Sequence, residues 1–154
     1  MSAWIGIDPG QTGGLALVSQ MGNLIAVERM PAITGEVDAV GLFLTLDQWI
    51  KTDDDTKCAI EQVHSMPGQG VSSSFKFGKN FGIALGVVAA LGIPLHRVTP
   101  QRWKGGMSLL KKDKDASRQL ATEFWPNMSG EWKFKKDNGL SDAALIAEFA
   151  RRTL

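Results

Sequence analysis

Three acidic residues stand where acids are costly. Asp8 closes the apolar run Trp4-Ile5-Gly6-Ile7, Glu61 closes Lys57-Cys58-Ala59-Ile60, and Asp142 precedes the apolar stretch Ala143 to Ala147. A charge at the end of a buried strand is unfavourable unless it is paired or binds a cation. Carboxylates converging from three elements repel one another unless a hard cation compensates them, and magnesium takes one or two carboxylates together with phosphate and water. Two such ions, roughly 3.5–4 Å apart, would hold the attacking and leaving oxygens of a phosphodiester displacement. Other chemistries lack their residues. One cysteine, Cys58, and two histidines, His64 and His96, make no zinc set, and no serine is marked as a strained nucleophile.

The elements that must position these acids follow from short apolar runs bounded by Gly and Pro. Trp4–Asp8, Leu15–Val18 and Leu24–Met30 read as a three-stranded antiparallel meander. Glu36–Ile50 reads as an amphipathic helix carrying Val37, Val40, Phe43, Leu44 and Trp49, and Thr52–Thr56 as a solvated acidic loop. The strand Lys57–Glu61 then returns parallel to the first by a right-handed crossover, which sets Asp8 beside Glu61. Ser72–Leu91 reads as a long helix with Gly78, Gly82 and Gly86 on one side and apolar residues all round from Phe81 onward. Such a helix is covered on two faces. The sheet would cover one; a second subunit, meeting residues such as Ile83 and Val87, or the helix's own domain, would cover the other. Pro94–Val98 is a fifth strand, Pro100 opens a short helix, Asp113–Trp125 forms another, residues 127–139 are loop, and Ser141 caps the last helix. The expected fold is α/β: a five-stranded mixed sheet, meander plus two parallel strands, with helices on both faces, in one domain spanning residues 1–154.

The composition fits a globular protein, with 44% hydrophobic and 21% charged residues. The net charge of +1 conceals an asymmetry: residues 97–136 hold ten Lys or Arg against four Asp or Glu. That balance suits either an anionic polymer or a solvated face. The single cysteine, the lack of a leader and the lack of a membrane-length run lead us to expect a soluble cytoplasmic protein with no membrane association.

Ile5-Gly6-Ile7-Asp8-Pro9-Gly10, Ile60-Glu61-Gln62-Val63 and Ser141-Asp142-Ala143-Ala144-Leu145-Ile146-Ala147 resemble, in order and spacing, three motifs of the RuvC-type Holliday-junction resolvases. Pro100-Gln101-Arg102-Trp103-Lys104 and Lys114-Asp115-Ala116-Ser117 look closest to that family's phage and viral branch, which would place the protein in a host cytoplasm. The resemblance implies an RNase H-like fold and a homodimer. It also implies a crossover junction endodeoxyribonuclease that makes paired symmetric nicks in four-way DNA junctions, with two magnesium ions per site, manganese as a substitute, and no nucleotide cofactor. It assigns Asp8, Glu61 and Asp142 to the metals. The family's fourth acid, commonly three residues before the last, falls here on Gly139. Asp137 is taken as the fourth ligand, provided the chain before Ser141 is not helical; Asn138 and a three-acid site are the alternatives. Lys104 and Lys114 match lysines near the scissile phosphate. Arg102, Lys111, Lys112, Lys135 and Lys136 join them as candidate DNA contacts, and His64 falls near the position of a junction-stacking aromatic. Trp103 is expected to pack, while Trp125 and Trp132 flank the basic loop, where base stacking is an option.

Three rivals differ from this reading. An ATPase of the actin, hexokinase and heat-shock type needs a second domain, for which 154 residues leave no room. An RNase H-like nuclease of broader branched-DNA or RNA–DNA hybrid specificity would share fold and metals, so substrate assays alone separate it. A non-catalytic nucleic-acid-binding module would have no use for the acids.

Overall fold

The computed structural model describes residues 2–52 and 55–154. Its central sheet has the order β3-β2-β1-β6-β7, formed by β1 (Ala3–Asp8), β2 (Gly14–Ser19), β3 (Leu24–Arg29), β6 (Thr56–Glu61) and β7 (Leu95–Val98). β1, β2 and β3 run antiparallel, and β6 and β7 are parallel to β1. The period-two alternation of the strands divides two cores. Ile5, Ile7, Leu15, Leu17, Cys58 and Ile60 face α1 (Ala39–Ile50) and α2 (Val71–Ala90). Trp4, Ala16, Val18, Ala59 and Val98 face α3 (Pro100–Gly106), α4 (Lys114–Phe124) and α5 (Asn138–Thr153). Among the described residues, no helix is long and apolar enough to cross a membrane.

The expected sheet and its two covering layers are present; four local expectations are not. Residues 32–37 form a small hairpin, β4 (Ala32–Ile33) and β5 (Glu36–Val37), so α1 starts after Asp38, whose carboxylate accepts from Val40 N–H. Consequently α1 buries Leu42, Leu46 and Trp49, while Val40 and Leu44 are exposed. Residues 127–139 are not loop, because 3-10 turns run over Pro126–Trp132 and Lys135–Asp137 and α5 begins at Asn138. Ser141 therefore lies inside the helix, its Oγ donating to Asn138 O at 2.9 Å. Of the acidic loop, Asp53 and Asp54 lie outside the described residues.

The helix buried all round is α5, not α2. Residues from Gly139 to Ala150 are buried apart from Asp142, between β1 and β2 on one side and α4 on the other. Even Glu148 is buried there, neutralised by Arg151 at 2.7 Å and Arg152 at 2.6 Å. In contrast, α2 buries Asn80, Ala84, Val87 and Val88, and Gly78, Gly82 and Gly86 face open space. Val87 and Ile83 thus pack into the domain's own core rather than on a free face.

Two close approaches lock α5 onto the acid-bearing end of β1. A Cβ on Gly6 would lie 2.0 Å from Ala143 O and 2.6 Å from Ala147 N, so only glycine lets the helix lie against the strand here. A Cβ on Gly139 would lie 2.6 Å from both Gly13 Cα and Thr12 O, which seats the first turn of α5 directly on the β1–β2 turn.

Candidate active site

Asp8 and Glu61 end neighbouring parallel strands, in a register that pairs Ile7 with Ile60. Asp142 enters from the first turns of α5, and all three are half-buried. Loss of hydration, followed by the charges of Glu61 and Asp142, pushes the Asp8 carboxyl up to about 8. The Gly10 N–H bonded to Asp8 and the charge of Lys104 act in the opposite direction. Burial also pushes Asp142 up to about 6, with Glu61 adding to the rise; the Ser117 hydroxyl, Lys104 and Lys114 oppose it. The three acids therefore sense one another, and the lysines of α3 and α4 are the cations that answer them.

Glu61 is further oriented by Trp103, whose Nε1 donates to Glu61 Oε2 at 2.6 Å. Trp103 is fully buried, so it packs as expected, and its indole also steers a carboxylate. Lys104 lies over the same ring at 5.4 Å from its centroid. Asp142 Oδ1 is buried with no hydrogen-bond partner, an unsatisfied acceptor in a polar setting that suits a cation. As the side chains stand, no three His, Cys, Asp or Glu residues among those described form a set closed tightly enough to enclose an ion. The donor set is all oxygen, which suits magnesium or manganese rather than zinc.

Asp137 does not join the trio. Its condition fails, because the chain before Ser141 is helical from Asn138. Asp137 instead pairs with Arg29 of β3 and accepts from Phe134 N–H at 3.3 Å, which satisfies it as a buried structural acid. The position three before Asp142 is Gly139, closed to any side chain by the contacts above.

The basic candidates separate into groups. Lys104 and Lys114 act on the acids. Lys135 shares a hollow with Lys114, Asp113, Asp115 and Asn138 beside them. Lys136 lies over the Phe134 ring, next to Asp137. Lys111 and Lys112 are exposed between α3 and α4, and Arg102 lies over Phe149. His64 is exposed at the edge of an apolar hollow with Val71, Phe75, Phe77 and Phe81. Trp125 and Trp132 are buried edge to face and donate to Gly22 O and Thr122 Oγ1, which removes them as base-stacking platforms.

Sequence reasoning missed the roles of the Trp103 indole and of Ser117. Ser117 lies three residues after Lys114 on α4, so a one-turn spacing could have shown that both address the same acid.

A mixed sheet in this order, with acids closing its two central parallel strands and a third on the last helix, is the RNase H-like arrangement. The chain belongs to the RuvC family, since the family model described as Crossover junction endodeoxyribonuclease RuvC matches residues 4–121. That span includes Asp8 and Glu61 and stops short of Asp142. Over 86 residues the chain is 33% identical to the chloroplastic Holliday junction resolvase MOC1 of Chlamydomonas reinhardtii, covering 55% of this chain and 10% of that protein. It thus spans about a tenth of that relative's length. Thermus thermophilus RuvC superposes with a TM-score of 0.69 at 20% identity, over 97% of this chain and 95% of that one. RuvC of the same organism in complex with a Holliday junction substrate gives 0.70 at 18% identity, over 99% and 96%. The yeast mitochondrial Holliday junction resolvase Ydc2 gives 0.61 at 18% identity, over 98% and 78%. At these identities the structural likeness speaks to the fold.

Proposed function

We propose that this protein is a magnesium-dependent crossover junction endodeoxyribonuclease that resolves four-way DNA junctions by paired nicks. The observation that carries the reading is the meeting of Asp8, Glu61 and Asp142 with Lys104 and Lys114, in a chain of the RuvC family. Magnesium, when bound, supplies Lewis-acid stabilisation of the phosphodiester oxygens and a more acidic water. Asp8, Glu61 and Asp142 would hold it. Trp103 keeps the Glu61 carboxylate aimed, Ser117 does the same for Asp142, and Lys104 and Lys114 offset negative charge where the scissile phosphate arrives. The exposed Lys111, Lys112 and Lys135 suit phosphate contacts along the arms.

Two active sites in fixed relation would come from a homodimer built on α2. Support comes from its outer stripe, where Val71 and Phe75 are exposed and Gly78, Gly82 and Gly86 have nothing within 4 Å. Such a surface suits a second helix at close range. A phage or viral origin, and with it the host cytoplasm, rests on Pro100–Lys104 and Lys114–Ser117 alone.

The test is incubation with magnesium and end-labelled substrates: a four-way junction, a duplex, a flap and an RNA–DNA hybrid. Symmetric nicking of the junction by wild type, lost in Asp142→Asn with binding retained, is the expected result. Preferential cleavage of the hybrid would replace this reading with the broader RNase H-like one, and binding without cleavage on any substrate would make the protein a binding module.

A further inference from the structure

We propose that Asn138 contributes a neutral amide oxygen as the fourth ligand of the acid site. The inference rests on the three-carboxylate site proposed above and adds a residue to it. Among the described residues, three buried side-chain polar atoms lack a hydrogen-bond partner: Arg118 Nε, Asp142 Oδ1 and Asn138 Oδ1. A buried acceptor left without a partner is costly, so two on one helix call for a reason. Asn138 and Asp142 are four residues apart in α5, hence on one face, one turn above the other.

The neighbourhood matches. Asn138 borders the hollow that holds Lys114, the lysine whose charge acts on Asp142. The next residue, Gly139, abuts Gly13 and Thr12 in the turn that follows Asp8, which brings the head of α5 to the Asp8 end of the sheet. The residues on either side of Asn138 are both unavailable. Asp137 is committed to Arg29 and to Phe134 N–H, and Gly139 has no room for a side chain. Amide oxygens are ordinary ligands of hard cations. An amide in place of a carboxylate leaves the site with three formal negative charges, which limits repulsion between acids and lowers its attraction for the ion.

Manganese binding to the purified full-length chain, followed by electron paramagnetic resonance and by the metal-induced rise in Tm, tests this without recourse to cleavage. Asn138→Ala should weaken binding by about tenfold, the scale on which ligand-shell changes act. Asn138→Asp should tighten it by a similar factor. Both suit a first helical turn, since alanine favours helix and aspartate complements the N-terminal dipole. Asp137→Asn should leave binding unchanged. If Asp142→Asn loses the ion while both Asn138 variants bind within about twofold of wild type, against that tenfold scale, the role of Asn138 is overturned and the carboxylate site stands. If Asp142→Asn binds like wild type, the carboxylate site falls, and the role of Asn138 with it.

Discussion

Trp103 Nε1 donates to Glu61 Oε2 at 2.6 Å from a fully buried ring, so one side chain both fills the core and orients a candidate metal ligand. A hydrogen bond to a charged group contributes about 1.5–3 kcal/mol, and groups that aim a ligand affect metal affinity or activity by about 10–100-fold. Trp103→Phe keeps an aromatic ring in the core and removes the donor. Cleavage and manganese affinity should both fall within that range, while the Kd for junction DNA in calcium stays near that of wild type. An unchanged metal affinity would reduce Trp103 to a packing residue.

Asp137 gives the opposite pattern. It is buried against Arg29, which is itself largely exposed, so the pair links the head of α5 to β3 without facing the acids. Asp137→Asn should lower stability by about 1–2 kcal/mol, from the lost charge-assisted bonds, and leave the cleavage rate per folded protein unchanged. Thermal unfolding and a rate measured well below Tm check both halves. A large loss of cleavage with no loss of stability would return Asp137 to the active site.

The raised carboxyls set a pH dependence in metal-free protein. Asp8 titrates near 8 and Asp142 near 6 in the folded chain, each above the ordinary 3.8, so the folded state holds more protons than the unfolded state between those limits. Stability therefore falls as pH rises through that window. With a chelator present, Tm should drop from about pH 5 to about pH 8, and magnesium or manganese should raise it most at the alkaline end, where the ion displaces fewest protons. A chelated Tm that rises across this range, with no metal effect, would contradict the assignment of these acids.

Much of this arrangement was legible in residue pattern. Short apolar runs ended by Gly or Pro located the five main strands, and a right-handed crossover sufficed to set Asp8 beside Glu61. The hairpin at 32–37 was not visible because each strand has two residues; its turn signal is Thr34-Gly35, both at positive φ. Serine favours caps and so points to a helix start at Ser141, whereas α5 begins at Asn138, where the backbone of Gly139 packs on Gly13 and Thr12. The all-round burial expected of α2 falls on α5 for a related reason. Apolar residues occur all round both, and only tertiary placement shows that α4 covers the outer face of α5 while the glycines of α2 are left open.

That open stripe specifies the dimer variants. Gly82→Arg and Gly86→Glu meet no atom within 4 Å in the single chain, so each should fold with unchanged helix content. On the proposed dimer, wild type should run as a dimer in light scattering and both variants as monomers at the same concentration, with nicking of one strand replacing paired cleavage. Val87→Glu, by contrast, should unfold the domain, because Val87 lies in the core. A wild-type protein that is monomeric while still making paired nicks would remove α2 as the dimer surface.

Paired cleavage is most directly read from a supercoiled plasmid carrying an inverted repeat that extrudes a cruciform. Two nicks placed within one encounter convert it to linear DNA without accumulation of nicked circles. Wild-type protein with magnesium should yield linear product cut at the cruciform, Asp8→Asn, Glu61→Gln and Asp142→Asn should each yield none while still binding the junction, and a plasmid lacking the repeat should stay supercoiled. Nicked circles as the end product, or equal cleavage of the plasmid without the repeat, would contradict junction resolution by this protein.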